Sequence, residues 1–353
     1  MENNERRSPQ GHSVDLDKLE MTKPKLILID GNAIIHRAYH ALPKTMTTRK
    51  GEPTNAVYGF TTTIIKVLED LKPQYIAASF DLAGPTFRHE HYKEYKATRV
   101  KADQELYDQI PRVKEIVETM NIPIYEKQGF EADDAIGTIV RKTQETSNKI
   151  QIYIVSGDKD IYQLINDNVF VYSLRKGLSQ MQVVDSATIK KEYNLDPADF
   201  IDLKALAGDA SDNIPGVPGI GAKTATDLIQ KFDTLEKLYE QIATAGSLAM
   251  TNQIKPRILE LLKKYKDQAF LSQHLATIHR DVPIDFDLEK CRWGEYDREK
   301  LKKLFEELGF VSLLRRFEDK PKTQNFRLAG RQTDAEESSK TEVQNKDQQL
   351  KLL

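Results

Sequence analysis

The sequence predicts an α/β fold with a central, mostly parallel twisted sheet flanked by helices, joined to a second, helical subdomain. Short apolar segments alternate with segments of helical periodicity as far as about residue 198. Strands that alternate with helices favour βαβ units, in which a parallel sheet is covered on both faces. Beyond that residue the strand signals stop and the pattern is helical, apart from a Gly and Pro cluster at 214–221.

Five segments of the α/β region are predicted strands. They read KLILID at 25–30, QYIAASFD at 74–81, IPIYE at 122–126, QIYIVSGD at 151–158 and VFVYSL at 169–174. Two segments between them, TNAVYGFTTTIIKVLEDL and ELYDQIPRVKEIVETM, carry apolar residues at i, i+3 and i+4 and are predicted helices. The expected domains are an α/β core at 23–198, a helical subdomain at 199–290 and, at 291–318, a helical region that packs on the core.

The composition is that of a globular protein with a substantial core. Of the 353 residues, 39% are apolar and 30% are charged, which is ordinary for a folded domain. A single cysteine, Cys291, excludes an internal disulfide framework and a zinc site built from several cysteines. Residues 1–22 and 319–353 are polar, and we predict that they are disordered tails.

No segment indicates export or membrane insertion. The N-terminus MENNERRSPQ lacks an apolar signal segment, and no apolar run reaches the roughly 18 residues that a membrane span needs. We therefore expect a cytoplasmic protein without a membrane partner. The formal net charge of -2 does not favour nucleic-acid binding, but whole-chain charge conceals local segregation and is judged segment by segment.

Acidic side chains end several predicted strands at one edge of the sheet. Three strands end in aspartate, and ligands of open parallel sheets bind beyond the carboxyl ends of the strands. The segments GFEADDAIG at 129–137 and GDASDN at 208–213 add further acids. A single Asp at a strand end is more often a turn former or a helix N-cap, but five such segments argue against coincidence. The candidate metal ligands are Asp30, Asp81, Glu131, Asp133, Asp134, Asp158, Asp160, Asp209 and Asp212.

A cluster of ionised carboxylates requires cations, because like charges about 4 Å apart repel by roughly 4 kcal/mol at an effective dielectric near 20. No His or Cys accompanies the acids in these segments, so oxygen-only ligation favours Mg²⁺ or Mn²⁺. Since Mg²⁺ usually takes one or two direct carboxylates, the number of acids predicts two or more ions. Paired ions suit in-line displacement at phosphorus.

The segment TFRHEHYKEYKATRVK at 86–101 holds five Lys or Arg residues against two Glu, with three aromatic residues interleaved. A charge run of this kind can simply be a solvated helix face. Its position after the strand that ends in Asp81 predicts instead that it stands over the acidic cleft. Basic and aromatic side chains suit a phosphate backbone and unstacked bases. Candidate DNA-binding residues here are Arg88, Lys93 and Lys101.

The segment GVPGIGAKTATDLI at 216–229 predicts a glycine-rich hairpin between two helices. Its glycines permit close backbone approach, and the N–H groups that start the following helix can hold a phosphate. A plain helix hairpin would explain one Gly-Xaa-Gly, whereas the whole PGVPGIGAKTA run is more specific. It is expected to bind a duplex backbone without reading sequence. The candidate residues are Gly216, Gly219, Gly221, Lys223 and Thr224.

Residues 25 to about 317 resemble the 5′ to 3′ exonuclease domain of bacterial DNA polymerase I. That domain is a member of the flap endonuclease, or structure-specific 5′-nuclease, family with a PIN-like core. The matching stretches are LIDGNAIIHRAYHAL, GEPTNAVYGF, SFDLAGPTFRHEHYKEYKATR, GFEADDAIGT, SGDKDIYQL and GDASDNIPGVPGIGAKTA.

The resemblance implies roles for these residues. It implies that the acids bind catalytic divalent ions in a two-metal mechanism and that residues 82–110 form a helical arch for the 5′ single strand. Lys96 and Arg99 would lie at the scissile phosphate, and Tyr95 would stack on a base. The hairpin would be a helix-hairpin-helix element that grips downstream duplex and binds K⁺. The expected activity is a monomeric 5′ to 3′ exonuclease and flap endonuclease that removes flaps or RNA primers in DNA replication and repair.

Three alternatives stay open from the sequence. A phosphatase with an aspartyl nucleophile needs a second Asp two residues after the first, and Asp30-Gly31-Asn32 lacks it. A non-catalytic DNA-structure binder would have lost several acids, and none is missing. The chain could also be a fragment of a longer DNA polymerase I, although its polar tail favours a standalone nuclease.

The extreme C-terminus, Gln349 to Leu353, reads QLKLL. It resembles the Gln-Leu-Xaa-Leu-Phe type of peptide by which bacterial replication and repair proteins bind the sliding clamp, with Leu353 where Phe is usual. A chance cluster of leucines is the alternative. A clamp partner is therefore a further expectation.

Overall fold

A six-stranded sheet with the order β3-β2-β1-β4-β5-β6 forms the centre of the protein. The computed structural model describes residues 23–176, 180–244 and 253–318. Strands β1 to β5 run parallel, and β6 pairs antiparallel with β5. The prediction of an α/β fold with a mostly parallel sheet is confirmed. The strands are β1 (Lys25–Asp30), β2 (Tyr75–Ser79), β3 (Ile124–Tyr125), β4 (Gln151–Ser156), β5 (Val169–Lys176) and β6 (Gln180–Val184).

Two strands end two residues earlier than predicted, and one strand was not predicted. β2 ends at Ser79 and β4 at Ser156, so Asp81 and Asp158 lie in loops two residues beyond their strands. The missed strand, β6, reads QMQVV. Its glutamines weaken the strand signal, and as an edge strand with one antiparallel neighbour it does not need the continuous apolar run of a central strand.

Helices cover both faces of the sheet. α1, α2 and α4 pack on one another, whereas α5 packs against β1 and β2. Leu26 and Leu28 of β1 share a hydrophobic cluster with Ile136 of α5. Ile27 and Ile29 are fully buried too, and they face the opposite side because side chains alternate along a strand. The helices of this region are α1 (Gly31–Ala41), α2 (Asn55–Leu71), α3 (Phe87–His91), α4 (Gln104–Thr119), α5 (Ala132–Thr146) and α6 (Ser186–Tyr193), with a 3₁₀ helix at Asp160–Leu164.

A second hydrophobic cluster forms the centre of the helical part. It contains Leu206, Leu228, Leu238, Leu262 and Ala269, one from each of five helices. Each of these helices thus buries apolar side chains in the shared cluster. The helices are α7 (Asp199–Ala207), α8 (Ala222–Phe232), α9 (Leu235–Thr244), α10 (Pro256–Lys264) and α11 (Lys266–Ala276).

The chain returns to the α/β core directly after α11. Ile278 and Val282 belong to the same cluster as β1 and α5, and the N–H of Val282 donates to Oγ1 of Thr138 at 2.9 Å. This return comes before residue 290, where the helical subdomain was expected to end. The last elements are a 3₁₀ helix at Glu289–Cys291, α12 (Arg298–Leu308) and α13 (Val311–Glu318).

The turn from β1 to α1 fixes the first acidic residue at the edge of the sheet. Oδ1 of Asp30 accepts the N–H of Ala33 at 3.1 Å and so caps α1. A Cβ on Gly31 would lie 2.2 Å from Cε1 of Phe80, so only glycine fits between strand and helix. Asp30 is thereby held at the carboxyl end of the central strand.

Some expectations concern residues outside the described ranges. The predicted tails at 1–22 and 319–353, including Gln349 to Leu353, lie there. Among the helices that the structure does describe, none is long and apolar enough to cross a membrane.

Candidate active site

Asp30 and Ser156 lie at the carboxyl ends of two adjacent strands, β1 and β4, and form the first part of the site. Oδ2 of Asp30 accepts the hydroxyl of Ser156 at 2.6 Å. Burial raises the pKa of Asp30 to about 7, although the hydrogen bonds from Ser156 and Ala33 oppose this, and the charges of Asp158 and Asp81 add to it. This carboxyl therefore has other acids beside it, as the strand-end pattern predicted.

The two loop aspartates are tied to their neighbours and stay exposed. Oδ1 of Asp81 accepts the N–H of Ala132, the first residue of α5, at 2.8 Å. Oδ1 of Asp158 accepts the N–H of Asp160 at 3.0 Å. Both aspartates are solvent-accessible, so their remaining oxygens can reach a ligand in the cleft.

The three acids of GFEADD diverge at the start of α5. Glu131 and Asp134 form a capping box, in which each side chain accepts the other residue's backbone N–H. Glu131 also accepts from Nζ of Lys96 at 2.6 Å and from the hydroxyl of Tyr95 at 3.2 Å. Consecutive helical side chains point about 100° apart. Asp133 and Asp134 accordingly have different surroundings.

Lys96 and Tyr95 join the core to the helical part. Nζ of Lys96 lies 3.8 Å from Oδ2 of Asp212, besides its bond to Glu131, and the Tyr95 hydroxyl donates to the same Asp212 oxygen at 3.1 Å. Burial opposes the charge of Lys96, but Glu131 and Asp212 raise its pKa, so the amino group stays cationic. Its backbone has a φ of 57°, unusual for lysine, and its N–H donates to the carbonyl of Asp212 at 2.9 Å.

Lys204 of α7 makes the second link. Its amino group forms ion pairs with both Asp160 and Asp209. Burial and the charge of Asp158 raise the pKa of Asp160 to about 7 in spite of Lys204. For Asp209, burial is outweighed by Lys204 and Ser211, and its pKa falls to about 2.

Arg99 completes the set of cations around Asp212. Its guanidinium forms an ion pair with Asp212, which is only 4% exposed, and its Nε donates to the carbonyl of Ser211 at 3.2 Å. Burial opposes the ionised form of Asp212, but Lys96 and Arg99 lower its pKa. The carboxylate therefore stays charged beneath the basic segment.

Eight of the nine candidate metal ligands thus lie near one another, each linked to another member by an electrostatic contact or a shared cation, and we call this group the carboxylate cluster. It consists of Asp30, Asp81, Glu131, Asp133, Asp158, Asp160, Asp209 and Asp212.

The carboxylate cluster fits a divalent ion by its donor chemistry. Oδ1 of Asp133 is buried and has no hydrogen-bond partner among the described residues, so its lone pairs are open to a ligand. Burial, followed by the charge of Asp134, raises the pKa of Asp133. A positive charge nearby would lower this pKa. In the ranges described, no three acidic, His or Cys side chains are close enough to hold one ion.

The loop that presents Asp209 and Asp212 is closed by backbone contacts. Asp209 and Ile214 exchange both backbone hydrogen bonds, at 2.9 and 2.8 Å. Behind them, Gly208 and Gly216 have positive φ values of 74° and 58°. A Cβ on Gly216 would lie 2.2 Å from the nitrogen of Gly208. Two backbones meet here without room for a side chain, and this contact sets the position of both aspartates.

Two predicted roles are wrong in this structure. Arg88 was expected to bind DNA, but it is 1% exposed and forms a bidentate ion pair with Asp134, at 2.8 Å for each bond. Asp134 was expected to bind metal, but it is fully buried and Arg88 and two backbone N–H groups occupy its oxygens. Both groups lie on the protein side of α5, away from the cleft.

The basic segment is less helical than an arch would be. Between residues 82 and 103 only α3 is helical, and α4 begins at Gln104. Tyr95 was expected to stack on a base, but its ring is 3% exposed and lies against His89, so stacking is excluded in this conformation. Lys93 and Lys101 are exposed, as DNA contacts would have to be.

The glycine hairpin divides into a buried and an exposed half. Gly216 was expected to contact DNA, but it is buried, its N–H donates to Oγ of Ser272 at 3.0 Å and its carbonyl accepts from Gln268 at 2.7 Å. That prediction is wrong, because the glycine serves the turn. Gly219, Gly221 and Lys223 are exposed and Thr224 is half-buried. Gly221 starts α8 without a side-chain cap.

Sequence reasoning missed three residues that organise the site. Lys204 orients Asp160 and Asp209, Ser156 orients Asp30, and Oδ1 of Asn32 accepts the N–H of Asp81 at 3.0 Å. Ser156 and Asn32 flank predicted ligands in the sequence, and this proximity was an available signal. The sequence signal for Lys204 was weaker, because it consists only of a single cation in the apolar stretch DLKALAG that leads into the GDASDN segment.

Comparison with known proteins identifies both parts of the chain. Residues 25–194 match the 5′-3′ exonuclease N-terminal resolvase-like domain, and residues 195–299 match the 5′-3′ exonuclease C-terminal SAM fold. The chain belongs to the 5′-3′ exonuclease family. This membership makes it a nuclease, and the resemblance seen in the sequence is confirmed.

The curated relatives of this chain include bacterial DNA polymerases I. DNA polymerase I of Bacillus subtilis is 40% identical over 294 residues, which are 83% of this chain and 32% of that protein. DNA polymerase I of Chloroflexus aurantiacus is 42% identical over 294 residues, or 82% of this chain and 30% of that protein. The chain therefore spans about a third of the length of these relatives.

Solved nucleases share the fold. Bacteriophage T5 5′-exonuclease with bound zinc superposes with a TM-score of 0.60 at 22% identity and covers 80% of this chain and 99% of its own. The T5 flap endonuclease in a pseudo-enzyme-product complex with DNA and metal ions gives 0.59 at 22%, covering 81% and 99%. The catalytic core of Rad2 in complex with DNA substrate gives 0.55 at 19%, covering 86% and 92%.

Proposed function

We propose that this protein is a Mg²⁺- or Mn²⁺-dependent 5′ to 3′ exonuclease and 5′-flap endonuclease that hydrolyses DNA phosphodiester bonds. The observation that carries the proposal is the contact of Tyr95 and Lys96 with both Glu131 and Asp212. The basic segment lies directly on the carboxylate cluster, so a phosphate bound by one is presented to the other.

Two or more divalent ions bound to the cluster would supply a Lewis acid and a water of lowered pKa for displacement at phosphorus. Asp133 is proposed as a direct ligand because its Oδ1 is open. The other cluster residues complete the oxygen environment. Lys96 and Arg99, held by Glu131 and Asp212, would stabilise the negative charge that develops on the scissile phosphate. The products would carry a 3′ hydroxyl and a 5′ phosphate.

Duplex binding is assigned to the exposed half of the hairpin. The uncapped start of α8 offers N–H groups to a phosphate, with Lys223 and Thr224 beside them. Lys93 and Lys101 would contact the 5′ strand. A K⁺ ion at the carbonyls of the hairpin is part of the proposal. The T5 and Rad2 structures, solved with DNA, support a DNA substrate.

The test uses labelled flap, nicked and single-stranded DNA with Mg²⁺, Mn²⁺ or EDTA. We expect cleavage near the junction of a 5′ flap with either ion and none in EDTA. Asp133→Asn serves as the inactive control. Equal activity in EDTA, or preference for a free 3′ end, would refute the proposal. An RNA–DNA flap in the same assay tests primer removal.

The proposed setting is replication and repair of DNA in the cytoplasm by a monomer, with the sliding clamp as a partner through Gln349 to Leu353. The test is a titration of the peptide of residues 344–353 onto the clamp, with Leu352→Ala as control. Absence of binding at hundreds of micromolar would remove the clamp from the proposal.

A further inference from the structure

All three nitrogens of the Arg88 guanidinium donate hydrogen bonds inside the protein. Its Nε donates to the carbonyl of Leu275 at 2.9 Å, and Nη2 donates to the carbonyl of Thr277 at 3.0 Å and to Oδ1 of Asp134 at 2.8 Å. Its Nη1 donates to Oδ2 of Asp134 at 2.8 Å and lies 3.4 Å from Oε2 of Glu131. Four hydrogen bonds and one further contact with a carboxylate thus engage this side chain. Because the side chain is only 2% exposed, a DNA phosphate has no access to it.

The carboxylate of Asp134 is satisfied in the same way. Oδ1 accepts the N–H of His279 at 2.8 Å besides Nη2 of Arg88, and Oδ2 accepts the N–H of Glu131 at 3.0 Å besides Nη1. The residue is fully buried. A carboxylate with four hydrogen bonds has no lone pair left for a metal ion.

These bonds join three parts of the chain. Arg88 lies in α3, where the basic segment begins, and Asp134 lies in the first turn of α5, which carries Glu131 and Asp133. Leu275, Thr277 and His279 belong to the end of α11 and the segment that returns to the core. One ion pair therefore sets the geometry between the basic segment, the start of α5 and the helical part.

We propose that Arg88 and Asp134 are a positioning pair, which orients Glu131 and Asp133 toward the cleft and anchors the basic segment without touching metal or DNA. The effect of this pair on cleavage rests on the proposed nuclease function, whereas the contacts between Arg88 and Asp134 do not depend on that function. Removing one partner leaves an uncompensated buried charge, so each single substitution is costly, and the double substitution is expected to cost less than the sum of the two. Lysine cannot replace Arg88, because it has neither the fork geometry nor five donors.

The first experiment measures thermal unfolding in EDTA for Arg88→Gln, Asp134→Asn and the double variant. We expect each single variant to lower Tm by about 10 °C and the double variant to lower it by clearly less than the sum. Arg88→Lys is expected to be as damaging as Arg88→Gln. If a single variant does not fold while the double variant does, that difference itself supports the pair. Additive losses of Tm in the double variant, or a wild-type Tm in Arg88→Lys, would overturn the proposal.

The second experiment separates positioning from ligand roles below the Tm of every variant. In calorimetric titration with Mn²⁺, Asp133→Asn should lose tenfold or more in affinity, whereas Asp134→Asn, which displaces a ligand without removing one, should lose clearly less. In DNA binding with Ca²⁺, Arg88→Gln should keep the salt dependence of affinity, which Lys223→Ala should reduce by about one unit of slope. Loss of Mn²⁺ affinity in Asp134→Asn equal to that in Asp133→Asn, or a reduced slope in Arg88→Gln, would overturn the proposal.

The third readout is the single-turnover rate at saturating Mn²⁺ and DNA. Both single variants should lower it by a similar factor, and the double variant should fall no further, because all three lose the same orientation of Glu131 and Asp133. Multiplied losses would mean that the two residues act separately. Since unfolding and Mn²⁺ binding need no cleavage, a failure of the nuclease proposal is distinguishable from a failure of the pair.

Discussion

The start of α5 and the start of α8 are both helix N-termini, but their backbone N–H groups have different partners. At α5 the N–H groups of Glu131, Ala132 and Asp134 donate to carboxylates. At α8, Gly221 offers no side-chain cap and Lys223 is exposed. The protein itself completes the first terminus, whereas the second leaves its donors to solvent or to a ligand.

This difference indicates separate roles, catalysis for the start of α5 and DNA binding for the start of α8. A helix N-terminus attracts anions through its unpaired N–H groups and its dipole. At α5 that attraction is used internally, to hold the carboxylates of Asp81, Glu131 and Asp134. At α8 it remains available for a phosphate supplied from outside. Substitutions at α5 should therefore change rate, and substitutions at α8 should change affinity.

The largest effect is expected for Asp133→Asn. The open oxygen at the start of α5 is lost, and the single-turnover rate should fall below roughly one thousandth of the wild-type rate. In EDTA the variant should be as stable as the wild type or slightly more stable. The raised pKa of Asp133 means that its ionised form destabilises the fold at neutral pH, and asparagine removes that charge.

The matched control is Asp285→Asn, since the Asp285 side chain is 98% exposed outside the carboxylate cluster. It should leave both rate and Tm unchanged. Near-normal turnover of Asp133→Asn on a flap substrate would contradict the assignment of the α5 terminus to chemistry.

Next in size is Lys96→Ala, which tests whether the basic segment acts on the reaction itself. Its amino group lies between Glu131 and Asp212, so its loss should lower the single-turnover rate by roughly 10² at saturating DNA. Lys93→Ala removes the same charge from an exposed position of the segment and should alter affinity only. If the two variants behaved alike, Lys96 would be a binding residue.

A smaller effect is expected for Lys204→Gln, measured as thermal unfolding with and without Mn²⁺. In EDTA, Asp160 and Asp209 lose their shared cation, and Tm should fall by about 5 °C. With saturating Mn²⁺ the deficit should shrink, because the ion supplies the missing positive charge. Lys190→Gln, whose ion pair with Asp196 is exposed, is the control. An equal deficit in both conditions would mean that Lys204 has no relation to the ion.

The smallest effect is expected for Lys223→Ala at the start of α8. The single-turnover rate at saturating DNA should be unchanged, while DNA affinity falls and its logarithmic salt dependence loses about one unit of slope. Lys303→Ala, at an exposed position of α12, provides a control for the loss of one positive charge. A reduced rate with unchanged affinity would reverse the roles of the two helix termini.

The alternation of strands and helices was enough to predict the α/β sheet, because buried parallel strands and amphipathic helices leave strong local periodicities. It was also enough to place acids from separate strands at one edge. The edge strand β6 was missed, since one antiparallel neighbour imposes a weaker pattern. Local sequence signals thus predicted the sheet and the helices that cover it, but not the edge strand β6.

The candidate site was predicted less completely, because its geometry depends on contacts between distant residues. Arg88 and Asp134 are 46 positions apart, and nothing in their own segments indicates that they pair. The helical period was an available signal for Asp133 and Asp134, whose adjacent side chains cannot share one direction. Gly216 looked like a DNA contact because a turn glycine and a phosphate-binding glycine have the same sequence signature.

The contact between Gly208 and Gly216 restricts which sequences can encode this loop. With positive φ at both positions and only 2.2 Å between a Cβ at 216 and the nitrogen of Gly208, neither position accepts a side chain, whatever occupies the residues between them. In a library that randomises residues 208–216, active clones should therefore retain both glycines even where Ala210 or Pro215 has changed. Two glycines that have no expected contact with metal or DNA would then limit which sequence changes this loop tolerates.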